Sequence, residues 1–156
     1  MRKSLLIIII MLISNTILAQ NGGRVMNKSY KSQFGVSETM MRTEQILKTM
    51  DIPVFAKFDH GKNAEEAGPQ LLPNQVIVFG SPKVGTVLMQ ENPAISIELP
   101  LKISVWEDKD RNVWLSIPLI KQIAASYGME DHPVIAKMQE LLEKIASQSV
   151  NAADKR

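Results

Sequence analysis

The fold is decided by residues 72–90, which have the sequence LPNQVIVFGSPKVGTVLMQ. Between Gln75 and Phe79 the chain is apolar on both faces, which is typical of a strand with neighbours on either side. Gly80 permits an abrupt change of direction. Ser81 is a good helix cap and Pro82 suits the first helical position. The stretch therefore predicts a central strand, a sharp turn and a helix, and it is the best place for a site.

The first twenty residues have the three parts of a secretory signal peptide. Arg2 and Lys3 are charged, residues 5–13 are apolar, and Ala19 followed by Gln20 offers a cleavage site. The apolar run is shorter than the roughly 20 residues that a spanning helix needs, and no Cys follows it to accept a lipid. We therefore expect residues 1–20 to be removed, leaving a periplasmic or secreted protein without a membrane attachment.

The amino-acid composition limits the kinds of molecule and metal that the protein is expected to bind. The chain has 18 Lys and Arg and 16 Asp and Glu, so the loss of Arg2 and Lys3 would leave 16 of each. A protein that binds nucleic acid needs a concentrated positive excess, so nucleic acid is not an expected partner. The chain has no Cys and only two His, without a zinc-ligand spacing. Disulfides, thiol chemistry and a metal site are therefore not expected.

The rest of the chain predicts a single α+β domain with a mostly antiparallel sheet and helices packed on one face. Ser37 is expected to cap a first helix over 38–50, and Asp131 a last, strongly amphipathic helix. Alternation of apolar residues predicts a strand over 54–58 and a hairpin over 101–117. We expect a flexible leader over 21–27, the domain over 28–147 and a frayed tail over 148–156.

The hairpin brings two tryptophans together on its otherwise polar face. If Glu107 pairs with Val113, then Trp106 falls opposite Trp114. Such a pair leaves an apolar patch that three arrangements explain: a self-stacked surface pair, burial under a second subunit or a helix, or a platform for a ligand. A homodimer is therefore one expected form of the protein.

Polar residues follow the carboxyl ends of two predicted strands. After Phe79, the helix start at Ser81 and Lys83, with Gly85 and Thr86 in the same turns, could bind an anion through free backbone N–H groups. After Phe58 comes the pair Asp59-His60, in which Asp59 is placed to cap a short helix. The leading hypothesis is that both ends open into one shallow hollow that binds a small polar or anionic ligand.

An enzyme is the first alternative. His60 would be a general acid or base in a hydrolase-like reaction, with a carboxylate such as Glu38, or else Glu65 or Glu66, as its partner. The Gly-x-Ser-x-Gly elbow, the Gly-x-Gly-x-x-Gly fingerprint and the phosphate-binding P-loop are all absent, so no cofactor is expected. A dimeric interaction or scaffold protein that works through the tryptophan patch is the second alternative.

Several separated motifs carry a family resemblance. They are Ser37-Glu38-Thr39, Asp59-His60 with Ala64, Gly68 and Leu72-Pro73, the run from Gln75-Val76 to Met89-Gln90, and Leu99-Pro100-Leu101-Lys102. In order and spacing they resemble the bacterial and archaeal family called domain of unknown function 302, over about residues 28–147. The resemblance implies a compact α+β domain with a TATA-binding-protein-like arrangement and a tendency to dimerise, but no reaction. The chain departs from the family pattern at Asp51, usually Gly, and at Ser81, usually Asn.

Overall fold

The computed structural model describes residues 26–152. The predicted signal peptide, most of the predicted leader and residues 153–156 lie outside the described residues. Asn27, expected in the leader, already belongs to the first strand. The helices and strands follow in the order β1 (Asn27–Lys31), α1 (Val36–Thr49), β2 (Val54–Asp59), α2 (His60–Ala67), β3 (Asn74–Phe79), α3 (Pro82–Glu91), a 3-10 helix (Pro93–Glu98), β4 (Leu101–Glu107), β5 (Val113–Pro118), α4 (Ile120–Ala124), a 3-10 turn (Ala125–Tyr127) and α5 (Pro133–Val150).

The five strands form one antiparallel sheet in the order β1-β5-β4-β3-β2, which confirms the α+β prediction. Strand β3 has a neighbour on each side, as its apolar sequence predicted, although β4 is the middle strand. Alternate residues of β3, β4 and β5 are buried, and they form one core with α1, α3 and α5. Within residues 26–152, no helix combines the length and apolarity needed to cross a membrane.

Two predicted helix caps were wrong. Gly35, not Ser37, precedes α1, and no side chain closes the first turn of that helix. His132, not Asp131, caps α5, because its Nδ1 accepts a hydrogen bond from the Val134 backbone N–H at 3.1 Å. An imidazole nitrogen can replace the usual oxygen acceptor at this position.

The end of α5 also differs from the prediction. The helix continues to Val150, and Ser149 and Val150 are buried. The tail expected to fray from residue 148 is therefore ordered for at least three more residues, because these side chains pack against the core.

Asp51 stands at the end of α1 in the left-handed region, with φ of 54°. A side chain costs about 1–2 kcal/mol there, and Gly usually fills this place after a helix. We expect Asp51→Gly to raise the free energy of unfolding by roughly 1 kcal/mol through relief of this strain. The greater conformational entropy of Gly in the unfolded chain offsets part of that gain. Urea denaturation would measure the gain, and Asp51→Ala, which keeps a Cβ without the carboxylate, should not show it.

The hairpin has the predicted register. Glu107 pairs with Val113, Trp106 with Trp114 and Ser104 with Ser116. The tryptophan ring centroids lie 6.3 Å apart with 26° between the planes. Asp108 organises the turn, since its carboxylate accepts hydrogen bonds from the Trp114 indole N–H at 2.8 Å and from the Asn112 and Asp110 backbone N–H groups.

These donors, the Trp114 indole first, lower the pKa of Asp108 from its ordinary value of 3.8 to about 2. A carboxyl whose pKa falls on folding stabilises the protein above its unfolded pKa and loses that contribution as the pH falls through its folded pKa. We expect Asp108→Asn to be less stable than the wild type at neutral pH, with the difference shrinking between about pH 4 and pH 2. Urea denaturation at several pH values tests this, and a pH-independent difference would contradict it.

Candidate functional site

The structure separates the two motifs that were expected to share a hollow. Strands β2 and β3 are antiparallel, so Asp59 pairs with Gln75 at one end and Val54 pairs with Phe79 at the other. Gln75 and Phe79 are four residues apart along β3, a distance of about 13 Å. The Asp59-His60 motif and the Ser81-Lys83 motif therefore lie at opposite ends of these strands. The prediction that both open into one shared hollow was wrong.

The start of α3 borders an apolar crevice rather than a polar site. Ser81 precedes the helix, and its backbone carbonyl accepts from the Val84 and Gly85 N–H groups at 3.0 Å, while its hydroxyl makes no capping bond. Lys83 and Thr86 are exposed. The neighbouring crevice of about 200 Å³ is lined mainly by the apolar residues Ile52, Phe79, Val84, Leu99, Leu101, Met138 and Leu141. In the described part of the chain, no convergent set of polar side chains that could hold an anion lies at this end of β3.

The surroundings of Gly85 do not require a Gly inside α3. A Cβ added at Gly85 would lie 3.6 Å from the Leu99 Cδ1, which is an ordinary van der Waals distance. The nearest neighbours are apolar side chains of the same domain, so Gly85 gives no evidence of a ligand.

A second cavity, the polar hollow, lies at the other end of β3 and has a volume of about 480 Å³. It is lined by residues from the start of α1, the end of β2, helix α2, the loop after α2 and the start of β3: Ser37, Asp59, Gly61, Lys62, Glu65, Gly68, Pro69, Gln70, Leu71, Pro73, Asn74 and Gln75. Its volume lies within the range of small-molecule sites. Of the residues predicted for the site, only Asp59 lines it.

Asp59 is held rigidly in the wall of the hollow. Its Oδ1 accepts a hydrogen bond from the Lys62 backbone N–H at 3.0 Å, which caps α2 as predicted, and its Oδ2 accepts from the Gln75 side-chain amide at 2.9 Å. These two bonds, that of Lys62 first, lower the pKa of the Asp59 carboxyl. The hollow therefore contains a fixed negative charge at neutral pH.

Two further charged residues line the hollow. The Lys62 amine lies 3.8 Å from the Glu66 carboxylate, four residues along α2. Within residues 26–152, the Glu65 carboxylate forms no hydrogen bond or ion pair. Because Glu66 partly offsets the charge of Lys62, the carboxylates of Asp59 and Glu65 give the lining a net negative charge.

His60 has no catalytic partner in the described part of the chain. It is exposed, and its ring stacks on Phe58 with centroids 6.4 Å apart. Among residues 26–152, no hydrogen bond or ion pair joins it to Glu38 or to another carboxylate, and no group of three or more His, Asp or Glu could hold a metal ion. The geometry does not assemble the acid–base pair that the enzyme alternative requires.

The predicted site residues are divided between the two ends of β3, and the family motifs contain further residues of the polar hollow. Ser37, Gly68, Pro73 and Gln75 belong to the family pattern but were not predicted as site residues, and all four line the polar hollow with Asp59. Glu65 appeared only as a possible partner for His60. The signal that could have found the hollow was the clustering of pattern residues between 59 and 75.

A larger groove of about 670 Å³ runs between α1 and α5 past Met41, Arg42, Ile46 and Gln148. Among the described residues that line the groove, Arg42 alone has a charged side chain, and it already donates to backbone carbonyls at the end of α5. This groove therefore offers a ligand less polar chemistry than the smaller polar hollow.

Comparison with known proteins gives one family. The family model "Domain of unknown function DUF302" matches residues 28–145. A crystal structure of an uncharacterized conserved DUF302 protein from Bacillus stearothermophilus superimposes with a TM-score of 0.69 at 19% identity, covering 80% of this chain and 98% of that one. At that identity the likeness shows the fold alone.

Curated relatives match over part of their length. Proteins named fluoride-specific ion channel FluC 1, from Brucella suis biovar 1 and Brucella abortus biovar 1, are each 42% identical over 87 residues. The match covers 56% of this chain, and 34% and 32% of those proteins. The chain thus spans about a third of the length of these relatives.

Proposed function

Because the chain belongs to the family described as "Domain of unknown function DUF302", whose description names no activity, we propose a function from the polar hollow. The domain binds a small polar ligand that carries a cationic or hydrogen-bond-donating group. One observation carries the proposal: Ser37, Asp59, Gly68, Pro73 and Gln75, which are far apart in the sequence and belong to the family pattern, line the same cavity.

The charge of the hollow favours a cation over an anion. Asp59 is ionised and immobilised by two hydrogen bonds, while Glu65 keeps its carboxylate free of protein partners in the described chain. An immobilised carboxylate costs little further ordering when a ligand binds, because its geometry is already set. A charge-assisted hydrogen bond from an ammonium group is also stronger than one from a neutral donor.

The name of the curated relatives does not make fluoride the ligand of this domain. Conduction of fluoride is attributed to chains about three times as long as the matched segment. A halide ion in the polar hollow would meet the like charges of Asp59 and Glu65, which disfavour its binding. Fluoride therefore serves as a negative control.

A thermal-shift assay on purified protein tests the proposed function. The probes are putrescine as a small dication, 1,4-butanediol as its uncharged counterpart, and sodium phosphate and sodium fluoride as anions. We expect putrescine to raise the unfolding temperature, butanediol to do so more weakly, and the anions to have no effect beyond that of matched sodium chloride.

Two variants locate the binding. Glu65→Gln removes an exposed carboxylate of the hollow without touching a structural bond, and it should weaken putrescine binding about tenfold. Lys83→Ala, at the opposite edge of the sheet, should leave binding unchanged. The proposal fails if putrescine gives no shift, or if its effect survives Glu65→Gln and disappears in Lys83→Ala.

We also propose that the domain works in the periplasm or outside the cell. Support comes from the charged, apolar and small-residue segments of residues 2–19. Mass spectrometry of the protein from its native source should find a mature chain that starts near Gln20. An intact chain that retains Met1 or Arg2 would refute export by cleavage.

A further inference from the structure

Strand β2 forms one edge of the sheet and exposes large apolar side chains there. Within residues 26–152 its only strand neighbour is β3, so the backbone on its other side has no strand partner in this part of the chain. Four of its six residues are exposed, including Phe55 at 52% and Phe58 at 48%. The opposite edge strand, β1, has the sequence NKSYK, with the lysines that usually keep an edge from pairing. The edge of β2 is therefore the one that is open to a further strand.

The strand register shows which side chains of β2 face the helices. They are those whose partners lie on the core side of β3, in the pairs Val54–Phe79, Lys57–Ile77 and Asp59–Gln75. The step from Val54 to Lys57 is three residues rather than two because a β-bulge interrupts the pairing between Val54 and Ala56. The Lys57 Nζ lies 2.6 Å from the Glu44 carboxylate of α1, which agrees with this direction.

Three cavities follow one another along the seam between α1 and β2. Asp59 lines the polar hollow, Lys57 a middle cavity of about 230 Å³, and Val54 a third cavity of about 310 Å³. From α1 they are lined in the same order by Ser37, Met40 and Glu44, which are three or four residues apart and share one face of the helix. Successive cavities are therefore about one side-chain repeat of a strand apart, roughly 7 Å.

The chemistry of the lining changes along this seam. Asp59 and Glu65 give the polar hollow its net negative charge. In the middle cavity the charge of Lys57 is offset by Glu44, and Met40 belongs to the apolar core. The third cavity has charged residues of both signs, and its apolar lining consists of Ile52, Pro53 and Val54. The seam therefore suits a cationic group in the hollow and uncharged, apolar groups in the two cavities beyond it.

We propose that an extended peptide segment binds along the open edge of β2 as a sixth strand and places a Lys or Arg side chain in the polar hollow. This inference rests on the proposed function, because the basic side chain is the cationic group of that ligand. Backbone hydrogen bonds to β2 supply affinity, and alternate side chains in the three cavities supply selectivity. An antiparallel alignment continues the pattern of the sheet. The basic residue then lies at the amino end of the segment, with apolar residues two and four positions after it.

Titration of isotopically labelled protein with the peptide acetyl-Lys-Thr-Val-Thr-Val-amide tests the sixth strand, and a peptide of reversed order covers the parallel alignment. We expect saturable amide shifts over residues 54–59 and around the polar hollow. Glu in place of the Lys should raise the Kd at least tenfold, because a like charge then enters the hollow. Methylation of the backbone nitrogens of the middle Val and the Thr after it should do the same. Successive N–H groups of a strand point to opposite sides, so one of these two donors faces β2.

Two protein variants locate the peptide. Phe58→Lys puts a charge on the open edge and should raise the Kd of the peptide at least tenfold while leaving putrescine binding unchanged. Val87→Lys makes the same kind of change at an apolar residue of α3 that is 41% exposed, and it should affect neither ligand. Circular dichroism identifies a Phe58→Lys protein that fails to fold, and the methylated peptide carries the test in that case.

Failure of the sixth strand is distinguishable from failure of the cation site. If putrescine binds but the methylated peptide binds as tightly as its parent, or neither peptide order shifts residues 54–59, the sixth strand is overturned and the cation site stands. If neither putrescine nor a peptide binds, both are overturned. Shifts of residues 54–59 that depend on protein concentration without peptide would show a second copy at this edge and would also overturn the sixth strand.

Discussion

Replacing Leu142 by Ala should lower the free energy of unfolding by about 2–5 kcal/mol. Leu142 is fully buried in the middle of α5, in the core cluster that joins this helix to the sheet. The substitution removes its apolar contacts and leaves a cavity that the surrounding close-packed side chains fill only partly. Such a loss is a large part of the stability of a single domain.

Leu141 is a matched control for this change. It is the preceding residue of the same helix, and it is only partly buried. Leu141→Ala should cost less than half as much, because part of the deleted surface already faces water. Urea denaturation followed by circular dichroism measures both values. Equal costs would mean that the buried stripe of α5 does not run through Leu142.

Removing Arg42 should have the second largest effect. Its Nε donates to the Ser149 carbonyl at 3.0 Å, and its Nη2 to the carbonyls of Gln148, at 3.2 Å, and Asn151. The guanidinium also lies 4.2 Å from the centre of the Phe34 ring. It thus satisfies the free carbonyls at the end of α5 and places a positive charge at the negative end of the helix.

Arg42→Ala should therefore lower the free energy of unfolding by about 2–3 kcal/mol, allowing for partial exposure of these bonds. Arg42→Lys keeps the charge but not the planar fork of donors, so it should recover only part of the loss. Chemical denaturation of the wild type, Arg42→Ala and Arg42→Lys measures the three free energies of unfolding and so ranks the proteins by stability. Full stability in either variant would show that the guanidinium does not anchor α5 to α1.

Much of the fold was predictable because local patterns and tertiary structure agree. The alternation around Trp106 and Trp114 predicted the hairpin register, since a shift by one residue would move the core residues of both strands to the face of the sheet that turns away from the helices. The apolar run before Gly80 gave an interior strand, and Asp59 gave the cap of α2. In each case the local structure that the residues prefer is the one that the packed domain contains.

The position of the site was not predictable in the same way. Placing the ends of β2 and β3 at one edge of the sheet requires parallel strands, yet the predicted sheet was mostly antiparallel. Pairing of Asp59 with Gln75 moves the Ser81 end to the opposite edge. Strand direction depends on long-range pairing, which the 14 residues between these strands do not specify.

The helix caps show the limit of residue preference. Ser37 and Asp131 are better caps by type than Gly35 and His132, but Ser37 lies two residues after Gly35 and Asp131 lies one residue before His132. Packing of the apolar stripes fixes where each helix begins. At α5 the His132 side chain then supplies the acceptor, whereas at α1 no side chain does.

Titration of isotopically labelled protein with putrescine, followed by amide chemical shifts, shows whether the polar hollow is the binding site. We expect saturable shifts that cluster in residues 59–75 and at Ser37, around the polar hollow, and that weaken in Glu65→Gln. Shifts confined to residues 80–86 at the start of α3, or no saturable shifts at all, would contradict it.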